Sequence, residues 1–313
     1  MSWQQRILDH GSEPVGAVED FFAEQTASWP LLQAGVEGLG HASSRGVRVE
    51  GYDLIAWHIP HRIRSTTAEV DDRSIRERAC FLCPENLPVE ERALSLNDGF
   101  VVTCNPFPIL GRHLSIVSCE HRPQRIAEAG APDFATLLEL ARILPGFLVL
   151  YNGPECGASA PDHMHFQACS RERVSVLSHL GEVDGGVLKG FPSNPFVLRG
   201  GDAGRIEWKF EQLMGRLTAE LPGTNEPMVN IVAVHEAGRW NVLVFPRTRH
   251  RPEMYHSGQL LWSPGALDLA GIIVLPLASD LDRATPEVLS QGFSEVSLPA
   301  DAVIRIAREL ELQ

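Results

Sequence analysis

Two groups of residues in the 313-residue sequence have the types and spacing to do chemistry. The first is Cys80-Phe81-Leu82-Cys83, a C-x-x-C pair. Two thiolates so placed supply half of a tetrahedral zinc site or form a redox couple. A thioredoxin-like pair opens a helix directly after a strand, whereas here Arg- and Asp-rich sequence precedes the pair and Pro84 follows it. Alone, the motif leaves metal and redox roles open. The second group is His163, His165 and Gln167, which alternate with Met164, Phe166 and Ala168. Alternation marks a strand with one polar and one apolar face, so the spacing predicts both imidazoles and the amide on one face. A neutral imidazole can attack an electrophile or bind a metal, and an amide can donate to an anionic oxygen.

The elements that must hold these residues are legible in outline. An amphipathic start at residues 18–29 is followed by Gly-rich sequence, then by strand-like residues 47–59 and a polar stretch at 62–78. Apolar runs at 100–104 and 113–117 flank Asn105-Pro106-Phe107-Pro108 and read as two strands joined by a turn-rich loop. Residues 133–144 carry leucine and alanine at helical spacing, with Pro145-Gly146 as a stop. A short buried strand at 147–151 and a glycine-rich loop at 152–162 lead into the polar-faced strand.

The second half gives the same order: a helix at 206–221, a stop at Pro222-Gly223, and strands at 229–234 and 240–245. In this later copy Asn241, Val242, Leu243 and Val244 stand in the region of the histidines. Residues 264–276, a helix at 285–291, a strand near 294–298 and a helix from Ala300 complete the chain. The recurring order implies a duplicated unit of α+β class.

With 44% hydrophobic and 21% charged residues, the composition is that of a soluble globular protein with one large or two ordinary domains. No apolar run approaches the roughly 20 residues that span a bilayer, and the first residues lack the apolar region of a secretory signal. Six unevenly placed cysteines in a chain this long need no disulfide framework, so a reduced cytoplasm is expected. The net charge of -13 excludes the extended basic surface that nucleic acid or an anionic membrane requires. A small anion held by local donors is still allowed. The only lysines are Lys189 and Lys209, an arginine bias that codon usage explains without any selection for phosphate binding.

Taken together and in order, CFLC, Asn105-Pro106-Phe107-Pro108, His121 and the run from Asn152 to His165-x-Gln167 resemble the galactose-1-phosphate uridylyltransferase group of the histidine-triad superfamily. That group includes dinucleoside-polyphosphate phosphorylases and plant GDP-hexose phosphorylases. The segment His165-Phe166-Gln167-Ala168 is most similar to the GDP-hexose phosphorylase version, and the whole pattern is closest to a bacterial branch. The resemblance is good over residues 47–175 and only in outline beyond. It implies two histidine-triad-like (HIT-like) halves: a catalytic half, residues 1–185, and a degenerate half, residues 186–313, packed against it.

The resemblance further implies a structural zinc ion, one per chain, on Cys80, Cys83, His121 and His163, with Cys119 as an alternative to His121. It makes His165 the nucleophile that forms a nucleotidyl-histidine and Gln167 the donor to a nonbridging phosphate oxygen. Asn105 and Phe107 fall where the group contacts ribose and base. Asn152, Gly157, Ser159 and the amides of their loop fall near the phosphates. Met164 replaces the proline that uridylyltransferases place between the histidines, Asp162 directly precedes the first histidine, and the stretch from Gly157 to His163 is one residue longer. These departures point away from uridylyl transfer to galactose 1-phosphate.

The residues themselves add Arg62, Arg64 and Ser65 as candidate phosphate contacts, with Pro246-Arg247 and His250-Arg251-Pro252 as candidates from the second half. The expected activity is a nucleotidyltransferase or phosphorylase acting on a nucleotide diphosphate sugar or a dinucleoside polyphosphate, with phosphate or a sugar phosphate as acceptor. A homodimer is compatible with the sequence. The rival readings are a histidine-triad hydrolase, disfavoured because Gln167 stands where that branch places a third histidine, and a non-enzymatic zinc-stabilised nucleotide-binding module.

Overall fold

The computed structural model describes residues 1–8, 14–96, 99–127, 133–221 and 226–312; the Pro222-Gly223 stop lies outside them. Twelve strands occur among these residues: β1 (Ile7–Leu8), β2 (Ser43–Val49), β3 (Tyr52–His58), β4 (Ala93–Ser95), β5 (Phe100–Cys104), β6 (Leu114–Ser118), β7 (Phe147–Asn152), β8 (His165–Ser170), β9 (Phe196–Gly200), β10 (Val229–Glu236), β11 (Arg239–Pro246) and β12 (Ile272–Leu275). Nine form one sheet in the order β1-β4-β5-β6-β8-β7-β10-β11-β9, and β12-β3-β2 form a second, smaller sheet.

Alternation along the strands sorts the core into two layers. Val149, Tyr151, Phe166 and Ala168 point to one face, where they pack with Phe21, Leu137, Leu138, Phe210, Leu213 and Ile306 from the covering helices. Leu148, Leu150, Cys169, Val232 and Leu243 point to the other, against Val47, Leu54, Ala56 and Ile273 of the small sheet. Helices therefore cover one side of the large sheet and the small sheet covers much of the other. No helix among the described residues is long and apolar enough to cross a membrane.

One pattern of pairing occurs twice. β6, the helix Asp133–Ile143, β7 and β8 follow one another in sequence, and β8 lies antiparallel between β6 and β7. β9, the helix Ala203–Glu220, β10 and β11 do the same, with β11 between β9 and β10. The two sets meet where β7 pairs antiparallel with β10, Asn152 opposite Asn230. Their helices meet through Phe134 and Phe210, stacked with ring centres 3.7 Å apart. The sets differ in one connection. β10 turns into β11 over Ala237 and Gly238, both at positive φ as a tight hairpin requires, whereas residues 153–164 separate β7 from β8.

Three expectations change. His163 does not share the strand face with His165 and Gln167. β8 begins at His165, and His163 sits in the bend before it, because the Met164 N–H donates to Arg122 O and its carbonyl accepts from Ser118. Residues 294–298 are not a strand. The helix Pro286–Val296 runs through most of them, burying Leu289, Phe293 and Val296 at helical spacing. Residues 47–59 are a hairpin rather than one strand, since Glu50 and Gly51 take positive φ and return β2 into β3.

Much of the Gly-rich stretch after residue 29 folds as the helix Pro30–Gly40, and Gly35 lets it press against the loop after β5. A Cβ on Gly35 would lie 2.2 Å from Pro106 O and 2.9 Å from Pro108 Cδ. Gly35→Ala is therefore expected to destabilise the fold by about 1–3 kcal/mol, despite the gain in helix propensity. Urea unfolding will show it, and an unchanged midpoint would mean that the loop has room to move.

Candidate functional site

The bend before β8 places His163 against the C-x-x-C loop. Its Nε2–H donates to Ser118 O at 2.9 Å. A carbonyl only accepts, so Nδ1 carries a free lone pair. That nitrogen lies 3.3 Å from Cys80 Sγ and 3.5 Å from Cys83 Sγ, while His121 Nδ1 is 3.2 Å from Cys83 Sγ. One ligand atom from each of Cys80, Cys83, His121 and His163 lies within 4.8 Å of the others. The three sulfur–nitrogen separations of 3.2–3.5 Å match the edges of a tetrahedron with ~2.3 Å metal–sulfur and ~2.1 Å metal–nitrogen bonds. Burial, then the neighbouring Cys80, pushes the Cys83 thiol up to about 12, so a thiolate pair here needs a cation.

Cys119 is not part of this cluster and packs beside Trp3, Leu87 and Val101. Asp162 stands beside the cluster, accepting from Arg78 Nη2 at 2.6 Å with an oxygen 3.9 Å from His121 Nε2.

The same bend fixes His165. Its Nδ1–H donates to His163 O at 2.8 Å, which leaves the Nε2 lone pair for the cavity that the side chain lines. The residue is 5% exposed, and burial lowers its pKa to about 4, so the imidazole is neutral at pH 7. The backbone on either side is held by Gln124, a fully buried amide. Its Oε1 accepts from His165 N at 2.8 Å, and its Nε2 donates to His165 O and Asn152 O at 2.9 and 3.0 Å.

His165 opens onto a cavity of about 570 Å³, also lined by Arg62, Arg64, Asn105, Phe107, Ser159 and Gln167. A recess of about 80 Å³ adjoins it, sharing Arg62, Asn105, Ser159 and Gln167 and adding Asn152, Gly157, His250 and Arg251. Ser65 lines both. The structure thus brings together the candidate substrate contacts of the first half with His250 and Arg251, while Pro246, Arg247 and Pro252 do not line either space; Arg247 has another role. That side chain is fully buried, and its guanidinium donates to Asn230 Oδ1 and to the carbonyls of Pro264, Arg249 and His250.

Several of the groups have structural duties. Asn105 Oδ1 accepts from Phe107 N at 2.9 Å, and Arg62 Nη1 donates to Phe107 O at 3.1 Å. Burial lowers Arg62 to about 10, which leaves it charged. Asn152 Oδ1 accepts from Asn230 Nδ2 and Ala266 N. The amides of Gly153 and Cys156 are spent on Val229 O and Gly153 O, so the part of the loop that lines the recess is Gly157-Ala158-Ser159. Gly157 takes φ +93 with its Cβ position 3.1 Å from Gly265 Cα, a conformation and a contact only glycine accommodates.

Sequence reasoning missed Gln124, Asn230 and the role of His113. Gln124 lies in HRPQR with no periodicity to flag it, and Asn230 reads as one polar residue in an apolar strand.

Residues 21–170 match a family described as a domain of unknown function, DUF4922. No curated protein matches the chain. Among solved structures, the crystal structure of yeast Ap4A phosphorylase Apa2 superposes with a TM-score of 0.61 at 18% identity, covering 90% of this chain and 97% of that one. The same yeast enzyme in complex with Ap4A gives 0.63 at 18% identity and the same coverage, and in complex with AMP 0.63 at 17%, covering 92% and 97%. The fold is α+β and shares its architecture with that yeast enzyme. At this identity the likeness speaks for architecture, and the chemistry must be argued from the side chains.

Gln124→Ala removes a buried amide that satisfies one N–H and two carbonyls. It is expected to cost about 2–4 kcal/mol in urea unfolding, since each buried group left unpaired costs ~1–3 kcal/mol. A loss below 1 kcal/mol would show that the strand entry holds itself.

Proposed function

We propose that this protein is a nucleotidyl-transferring phosphorylase that splits a dinucleoside polyphosphate with inorganic phosphate. The observation that carries the reading is His165: a buried, neutral imidazole whose Nδ1 proton is held by a carbonyl and whose Nε2 is free, beside Gln167 and Arg62 in a nucleotide-sized cavity. Nε2 attacks the phosphorus next to a nucleoside, the bond to the bridging oxygen breaks, and the remaining nucleoside polyphosphate leaves. Phosphate then attacks the nucleotidyl-histidine, restoring the imidazole and releasing a nucleoside diphosphate. Gln167 and Arg62 stabilise charge on the nonbridging oxygens in both steps. The fold likeness to an Ap4A phosphorylase over nine-tenths of the chain favours a dinucleoside polyphosphate over a nucleotide diphosphate sugar.

Cys80, Cys83, His121 and His163 fit zinc, and with four protein ligands the ion would serve structure. These residues tie the C-x-x-C loop to the bend whose carbonyl orients His165. Purified protein is expected to hold close to one zinc per chain by elemental analysis, and Cys80→Ser to lose most of it with a lower melting temperature. Full zinc and unchanged melting in that variant would sink the assignment.

The covalent step is tested by incubating the protein with base-labelled diadenosine tetraphosphate without phosphate. Acid-labile, alkali-stable label is expected on wild type and none on His165→Ala. Because the ring titrates near 4 rather than near 6.5, labelling should stay level from pH 8 to 5 and fall only as pH drops through about 4. Label persisting in His165→Ala would move the nucleophile elsewhere.

A further inference from the structure

Gln167 can serve a phosphate only if its NH₂ rather than its carbonyl oxygen faces the cavity, and an isolated amide has no preference between the two. A second histidine removes the ambiguity. His113, fully buried just before β6, accepts the Ile109 N–H on Nδ1 at 3.0 Å. A backbone amide can only donate, so Nδ1 is unprotonated and the ring proton sits on Nε2. That Nε2 lies 2.8 Å from Gln167 Oε1 and donates to it. Both nitrogens are thereby assigned, and with them the amide: Oε1 is turned toward β6 and the NH₂ is left for the cavity that Gln167 lines.

We infer that His113 is a positioning residue, a fixed-tautomer donor that locks the Gln167 amide with its N–H groups toward the substrate phosphate. The inference rests on the phosphorylase reading for the identity of that phosphate, while the hydrogen-bond order belongs to the protein alone. Register supports it. β6 pairs with β8 so that Ser115 stands opposite Gln167, which brings the residue two before Ser115 within reach of the amide. Burial, and then the Arg62 charge, lower the His113 pKa to about 3, so the ring cannot take a second proton and exchange roles near neutrality. Arg62 lines the same cavity, and a cation there attracts the oxygen of an unrestrained amide, which the bond from His113 opposes.

The decisive variant is Gln167→Glu. It keeps an oxygen for His113 to donate to and replaces the NH₂ with a second oxygen. With the amide oriented as inferred, this places an acceptor against the phosphate, and kcat for diadenosine tetraphosphate with phosphate should fall by about 100-fold or more, the scale of losing one transition-state donor. Activity within a few-fold of wild type overturns the proposal, since neither the added oxygen nor its charge would then meet the phosphate.

A double-mutant cycle separates positioning from mere stability. His113→Phe should lower kcat on the order of tenfold with Gln167 present and less than twofold in a Gln167→Leu background; equal losses in both would make His113 structural only. AMP affinity measured over the same cycle gives a readout that needs no turnover. Nitrogen-15 NMR of the imidazoles should show His113 protonated on Nε2, and an Nδ1-protonated ring overturns the assignment whatever the variants do. Wild-type protein inert toward the dinucleotide would fail the phosphorylase reading, leaving the tautomer spectrum and the AMP cycle to decide this one.

Discussion

The backbone carbonyl of His163, fixed by a side chain anchored at both ends, is the constraint on which the site depends. Its ring donates from Nε2 to Ser118 O and presents Nδ1 to the two cysteine sulfurs, while its carbonyl accepts the proton of His165. One residue thus joins the ligand cluster, strand β6 and the proposed nucleophile. Removing the hold on His163 would free the carbonyl, and with it the tautomer of His165. An imidazole with Nδ1 unrestrained divides between two tautomers, only one of which has a nucleophilic Nε2. In the proposed mechanism the four-residue cluster therefore acts on His165 without touching substrate, through the backbone between His163 and His165.

A net charge of -13 and a phosphate-bearing substrate are compatible because the relevant field is local. Around His165 and Gln167 the cavity presents Arg62, Arg64 and Arg78 against Glu69 and Glu91, and burial pushes Glu91 up to about 7, which discounts its charge. Arg251 adds a cation in the recess, its guanidinium also donating to Thr66 O and Ala68 O. Asp268, a buried carboxylate that lines the recess, is turned to other work, accepting from Trp262 Nε1, Gly265 N and Val274 N. At low dielectric a few such groups outweigh a diffuse surface charge that salt screens within ~8–10 Å.

Much of the site was legible in the sequence because its residues sit in short, chemically unusual strings. C-x-x-C and H-x-H-x-Q each carry spacing, and spacing survives translation into three dimensions: i and i+2 share a strand face, as His165 and Gln167 do. The same rule over-reached at His163, where the alternation continued past the point at which Met164 N–H bonds to Arg122 O instead of to a neighbouring strand. The α+β class and most helices were readable from period. Residues 294–298 were not, because a short apolar run fits either period, and burial of Phe293 and Val296 on one helical face decided it. His113 and Gln124 were invisible in a different sense. Their roles consist of hydrogen bonds to residues 54 and 41 positions away, and no local pattern encodes a partner at that distance.

The second half shows what a strand pattern can and cannot preserve. β9, β10 and β11 keep the order and pairing of β6, β7 and β8, yet the connection that matters is gone. Residues 153–164 supply the recess wall Gly157-Ala158-Ser159 and the candidate ligand His163, and a two-residue turn at Ala237-Gly238 stands in their place between β10 and β11. A tight hairpin brings the two strands together with no backbone to spare for a bend, a carbonyl acceptor or a phosphate-facing loop. That set of strands therefore lacks the loop from which the proposed site is built. What the second half does instead follows from its place beyond β7: Asn230 accepts from Arg247 and donates to Asn152 and Cys156, steadying the loop of the first half from behind, while His250 and Arg251 reach round to close the recess. The pairing of β7 with β10 makes that arrangement possible, since it sets the recess wall and His165 on one continuous sheet.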